Sequence, residues 1–257
     1  MASAQVEYGS NNGKYLSILG TEVYYEEYGE GTPLLLLHGG FESISYFQKC
    51  IPILAKDYRI IIPDAPGLGR SEYAASSLSY QLLADYHSDF IDQLNLENVY
   101  VIGYSDGGVS ALILAKDRPD KVKRLVAAGA NYKVSGFKNL EEFRKYSDPA
   151  WVENEMTGWV KYYQKLSPTQ NWQRYVSEVG FLWFEEQYFP KAYLEAIAIP
   201  SLIVYGDNDM IILEHGLEIH NAIKKSQFCV LPNCSHNIFW DKPRLILKII
   251  TDFFNGK

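Results

Sequence analysis

At 257 residues and 29.3 kDa, with 47% hydrophobic and 21% charged residues, the chain is large enough for one big core or two modest ones and falls outside the composition of disordered proteins. A net charge of −7 without a basic run argues against nucleic acid or an anionic membrane surface as partner. Three scattered cysteines, Cys50, Cys229 and Cys234, with no apolar leader or spanning segment, lead to the expectation of a cytoplasmic protein without a disulfide framework.

In chain order, strands are expected over 21–28, 34–37 and 59–62, with a helix over 45–55 before the third. A helix over 80–94, a strand over 99–102, a helix over 107–117 and a strand over 125–128 follow. Most of these strands are Val/Ile/Leu-rich without alternation, as strands buried on both faces are. With helical spacing between them they predict an α/β chain with a mostly parallel central sheet. From 131 to 190 the strand pattern stops, and 15 of the 60 residues are aromatic against 22 of the other 197. That stretch is expected to be an inserted helical cap on a core made of 1–130 and 191–257. Strands over 202–205 and 228–231 then return, with helices over 213–224 and 243–254. Pro243 opens the last helix, where a missing N–H is no loss.

The sharpest motif is Gly103-Tyr104-Ser105-Asp106-Gly107-Gly108, which follows a strand and opens a helix. A serine on such a turn is strained and exposed, and the glycines allow strand and helix to approach closely. The helix N-terminus favours negative charge developing there. A nucleophilic serine needs an imidazole base and an orienting carboxylate, which in this architecture follow in the order Ser, Asp or Glu, His. His236 lies just past the 228–231 strand, and Asp207 and Asp209 lie just past 202–205, all at the carboxyl edge where α/β sheets place ligands. Position alone leaves the two carboxylates as rivals, with Asp207 also readable as a turn residue bonding its own backbone. No metal-ligand spacing and no cofactor motif is present. Gly9 to Lys14 has too few residues between its glycines for a phosphate cradle, and Gly67-Leu68-Gly69 lacks the third glycine of a dinucleotide site.

His38-Gly39-Gly40, the run from Asp64 to Ser71, the serine elbow, Gly206-x-x-Asp209 and Ser235-His236 together resemble the α/β-hydrolase superfamily over nearly the whole chain. The resemblance implies the α/β-hydrolase fold, Ser105 as nucleophile, His236 as base and Asp209 as orienting acid. It also implies an oxyanion hole from the backbone N–H groups of Gly40 and Asp106, with Phe41 as the neighbouring register for the first, and His38 as a loop-structuring residue. The elbow followed by Val-Ser-Ala-Leu looks like the valacyclovirase-like (biphenyl-hydrolase-like) group, whose substrates are α-amino-acid esters. A carboxylate at Asp106 opposes oxyanion formation by about 3 kcal/mol at about 6 Å and an effective dielectric near 20. Either a substrate ammonium offsets this, or Asp106 is a solvated first-turn acid favoured by the helix dipole.

The expectation is therefore a cofactor-independent and metal-free serine hydrolase of a small ester with an apolar or aromatic part, acting through an acyl-enzyme as a monomer or small homo-oligomer. Phe41, Asp106, Trp159 and Trp183 are candidate substrate contacts. The alternatives are a hydrolase of carbon–carbon bonds in aromatic ring-fission products, suggested by the aromatic cap, and a non-turnover ligand receptor on the same fold.

Overall fold

Runs such as 34–37 and 60–62 carry aliphatic side chains at every position because both faces of their sheet are covered. The computed structural model describes residues 6–73 and 77–257. Its strands are β1 (Lys14–Ile18), β2 (Thr21–Tyr28), β3 (Thr32–Leu37), β4 (Tyr58–Pro63), β5 (Val99–Tyr104), β6 (Val122–Ala128), β7 (Ser201–Asn208) and β8 (Ser226–Ser235). They form one sheet in the order β1-β2-β4-β3-β5-β6-β7-β8, antiparallel at β1/β2 and β2/β4 and parallel elsewhere.

The helices are α1 (Ile51–Leu54), α2 (Tyr80–Gln93), α3 (Asp106–Asp117), α4 (Leu140–Arg144), α5 (Pro149–Glu155), α6 (Thr157–Leu166), α7 (Trp172–Phe184), α8 (Lys191–Ala196), α9 (Leu213–Ala222), α10 (Ile238–Asp241) and α11 (Pro243–Phe254). Strand side chains alternate between two cores. Leu35, Leu37, Ile61, Val101, Ala127 and Ile203 pack with α2, α3 and α9. Leu34, Leu36, Ile60, Ile62, Ile102, Val126 and Val204 pack with α1, α10 and α11. Both sets are apolar, so the period of two vanishes from the sequence.

Two expectations need correction. The edge strand β1 was not expected from sequence, because of its five residues only Ile18 is buried and an edge strand needs little apolar content. The helix expected over 45–55 is instead a 3-10 turn at Ile44–Phe47 followed by the short α1. Pro52 has no N–H to donate to the preceding turn, so a continuous helix cannot pass through it.

Between β6 and β7 the chain forms α4 to α8 with intervening 3-10 turns. In α7, Trp172, Tyr175, Val176, Val179 and Trp183 are buried, a stripe at helical spacing from which Tyr175 and Trp183 reach Phe41 and Asp106 of the sheet domain. Because β3, β5, β7 and β8 run parallel and adjacent or nearly so, the loops after their carboxyl ends share one edge of the sheet.

Candidate active site

Ser105 is the single residue between β5 and α3, with φ 52° and ψ −121°, a backbone conformation that a residue with a side chain adopts only under constraint. The constraint is close approach. A Cβ on Gly103 would lie 2.3 Å from the Gly107 carbonyl oxygen, and one on Gly107 would lie 2.3 Å from that of Leu37. The Ser105 N–H donates to Ala128 O at 2.8 Å, which ties the turn to β6.

His236 Nε2 lies 3.1 Å from Ser105 Oγ, and His236 Nδ1 lies 2.7 Å from Asp209 Oδ1. A carboxylate only accepts, so Nδ1 carries the imidazole proton and Nε2 is left to accept from the serine hydroxyl. Asp209 is 1% exposed; its Oδ1 also accepts the Ile211 N–H at 3.0 Å. Asp207 faces solvent, where its carboxylate accepts the Asn233 and Cys234 N–H groups at 2.9 and 3.0 Å. Those two donors hold its carboxyl below the usual range, and they brace the turn that leads into His236. The structure thus brings Ser105, His236 and Asp209 into one hydrogen-bonded chain and gives Asp207 to the turn.

Asp106 is not solvated, which corrects one of the two alternatives for it. The residue is 8% exposed, and its carboxylate accepts from Tyr80 Oη at 2.7 Å and from Trp183 Nε1 at 2.9 and 3.0 Å. Burial pushes its pKa up, and these two donors act against the rise. Gly40 lies against the same carboxylate: a Cβ there would fall 2.5 Å from Oδ2. Phe41 follows with φ 61°. Its N–H donates to Tyr175 Oη at 3.0 Å, and its carbonyl accepts from Trp159 Nε1 at 2.8 Å. Trp159, Tyr175 and Trp183 surround its ring at centroid distances of 4.6, 5.4 and 5.7 Å.

His38 donates from Nδ1 to Gly39 O at 2.8 Å and accepts the Ala65 N–H on Nε2 at 2.9 Å. Burial holds it neutral by pushing its pKa down to about 4. It braces the loop and has no free nitrogen for proton transfer. Sequence reasoning gave no role to Tyr80, Tyr175 or Glu42. Tyr175 and Trp183 share the buried stripe of α7, which was the available signal. Glu42 carried none; burial pushes its carboxyl up to about 7, and His236 opposes that rise.

Two hollows adjoin the site. One, between Gly40, Asp106 and the side chains Leu68, Leu78, Leu83, Val179 and Leu182, is apolar and has about 30 Å³ of free space. The other is a cleft of about 430 Å³ beside Asp209 and His236, lined also by Lys138, Glu142, Phe143 and Tyr146. Among the described residues no cluster of His, Cys, Asp or Glu is arranged to hold a metal, and no helix is long and apolar enough to cross a membrane.

Comparison with known proteins agrees with this fold. Residues 32–158 match the family model described as alpha/beta hydrolase fold. The chain is 25% identical over 264 residues to 2-hydroxy-6-oxo-6-phenylhexa-2,4-dienoate hydrolase of Comamonas testosteroni, covering 91% of this chain and 92% of that one. It is 26% identical over 246 residues to 2-hydroxymuconate semialdehyde hydrolase of Pseudomonas sp. (strain CF600), covering 87% of each. A solved meta-cleavage product hydrolase of Pseudomonas fluorescens IP01 superposes with a TM-score of 0.76 at 23% identity, covering 95% of this chain and 98% of that chain. The chain has the α/β-hydrolase fold. The two curated relatives are hydrolases by name, and this chain has a serine at the elbow of the shared fold.

Proposed function

We propose that the protein is a cofactor-independent serine hydrolase of small carboxylic esters. The observation that carries this is the chain Ser105 Oγ, His236 Nε2–Nδ1, Asp209 Oδ1 at 3.1 and 2.7 Å. Ser105 attacks the ester carbonyl as His236 takes its proton; His236 returns that proton to the departing alcohol, and Asp209 holds the imidazole in the required tautomer. Water, activated by the same imidazole, then releases the acid. The Asp106 N–H, at the start of α3 and without an intrahelical partner, stabilises the tetrahedral oxyanion, and the Gly40 N–H, which faces the Asp106 carboxylate in the resting site, is the second donor. The core residues 1–130 and 191–257 supply this machinery, and 131–190 act as the cap.

The relatives' names favour a second reading, hydrolysis of a carbon–carbon bond in a 2-hydroxy-6-oxo-dienoate. Such a substrate carries a carboxylate, and a buried cation is the usual answer to that charge. The charged side chains lining the two hollows are Asp106, Glu142, Asp209 and Lys138, with the three histidines His38, His87 and His236. The only fixed cation among them is Lys138. This charge balance supports a neutral ester over an anionic dienoate. For Asp106, the donors Tyr80 and Trp183 already meet the carboxylate and draw its charge away from the oxyanion, which supports a fastening role over capture of a substrate ammonium.

The test is a substrate panel with active-site labelling. A serine-reactive phosphonate should label Ser105, and short-chain p-nitrophenyl esters should turn over repeatedly. Ser105→Ala should lower kcat by at least about 10⁴-fold. An α-amino ester should be cleaved no faster than its des-amino analogue. Faster turnover of 2-hydroxy-6-oxo-6-phenylhexa-2,4-dienoate than of any ester would favour the carbon–carbon reading. Single-turnover cleavage would point to a receptor.

A further inference from the structure

Phe41 is held in the left-handed region, and both of its backbone polar groups are taken by side chains of the helical stretch between β6 and β7. Its N–H goes to Tyr175 Oη of α7 at 3.0 Å and its carbonyl receives Trp159 Nε1 of α6 at 2.8 Å. A non-glycine residue at positive φ persists only where its surroundings over-determine it. Among the described residues the only hydrogen-bond partners of these two groups are in the insertion, so the determination comes from there. Phe41 is bonded directly to Gly40, whose N–H is the proposed oxyanion donor. The Tyr175 hydrogen bond fixes the plane of the Gly40–Phe41 peptide and so restrains ψ of Gly40, one of the two rotations that aim the Gly40 N–H, and an oxyanion donor displaced by an ångström loses most of its effect.

We propose that Trp159 and Tyr175 are positioning residues which set the oxyanion hole through the Phe41 backbone. They act on the transition state and not by contacting the substrate. The inference rests on the serine-hydrolase reading above and deepens it, since it makes the cap a part of the machinery for charge stabilisation. Both groups are amphipathic donors or acceptors on rings packed against the Phe41 ring, so the rings fix where the polar atoms sit, and the polar atoms fix the loop.

Trp159→Phe removes the indole N–H and keeps an aromatic ring; Tyr175→Phe removes one oxygen atom. With p-nitrophenyl acetate, each variant should lower kcat about tenfold with KM changed less than twofold. Affinity for a trifluoromethyl ketone, which forms the oxyanion adduct, should fall by the same factor, while competitive inhibition by the product acid stays unchanged. A rise in KM at constant kcat would make these residues a substrate wall and overturn the proposal. So would retention of kcat and ketone affinity within twofold. The nearly isosteric Tyr175→Phe decides the matter if Trp159→Phe does not fold. Failure of the underlying reading looks different: the unmodified protein itself would neither take the phosphonate nor turn over the ester.

Discussion

Asp207 and Asp209 are two residues apart and chemically identical, yet the fold separates their duties. Asp209 sits 1% exposed against His236 Nδ1, and Asp207 sits in solvent bracing the 233–234 turn. Asp209→Asn can no longer fix the imidazole tautomer, and kcat should fall by about 10⁴-fold. Asp207→Asn keeps an acceptor for the turn, and kcat should stay within about threefold. Steady-state kinetics on one ester checks both, and equal losses would contradict the division. Position in the sequence left these two residues as rivals because both follow the same strand. Only the bulge after Gly206, which pairs Asn208 with Ser235, determines which carboxylate turns inward.

At the level of elements, α2, α3 and α7 enclose the apolar hollow beside Gly40 and Asp106. Its free space of about 30 Å³ is room for about two waters, and so for an acyl chain of a few carbons. The expected activity series on p-nitrophenyl esters peaks at acetate to butyrate and falls for octanoate. Leu182→Ala removes a side chain from the wall of that hollow and should shift the optimum toward longer acyl groups; an unchanged series would place the acyl chain elsewhere. Helices of this kind were legible where the pattern was long: α2 over Tyr80–Gln93 and α11 over Pro243–Phe254 agree with the expected 80–94 and 243–254. The expected helix over 45–55 failed because Pro52 breaks it. The aromatic excess of 131–190 was legible as composition. Its use was not, since Trp159 and Tyr175 spend their polar atoms on a backbone 118 and 134 residues away.

For the whole molecule, burial holds His38 and His215 neutral down to about pH 4 and His87 to about pH 3. In the unfolded chain each takes a proton near 6.5. Their folded pKa values lie below the unfolded ones, so the unfolded state binds more protons and stability falls as pH drops from about 6.5 to about 4. His38 and His87 each contribute a loss of about 3 kcal/mol across that window. Glu42, pushed up to about 7, and Asp64, pushed up to about 6, bind protons more readily in the folded state and oppose this fall over the same range, so the histidine contribution is read by comparing urea midpoints of single variants and the parent protein between pH 7 and 4.5. His87 is 6% exposed, lines the apolar hollow and makes no hydrogen bond among the described residues, so His87→Leu should stabilise the protein relative to the parent at pH 4.5 by more than at pH 7. A difference between variant and parent that does not change with pH would remove His87 from this account. On its own, the sequence determined the α/β class, the serine elbow and the candidates for base and acid, because strand hydrophobicity and close-packed glycines are local demands that leave local patterns. The tertiary structure decided which carboxylate meets the imidazole, what Asp106 bonds and what holds Phe41. Those are contacts between segments far apart in the chain, whose energy depends on burial and direction, and neither is written in residue spacing.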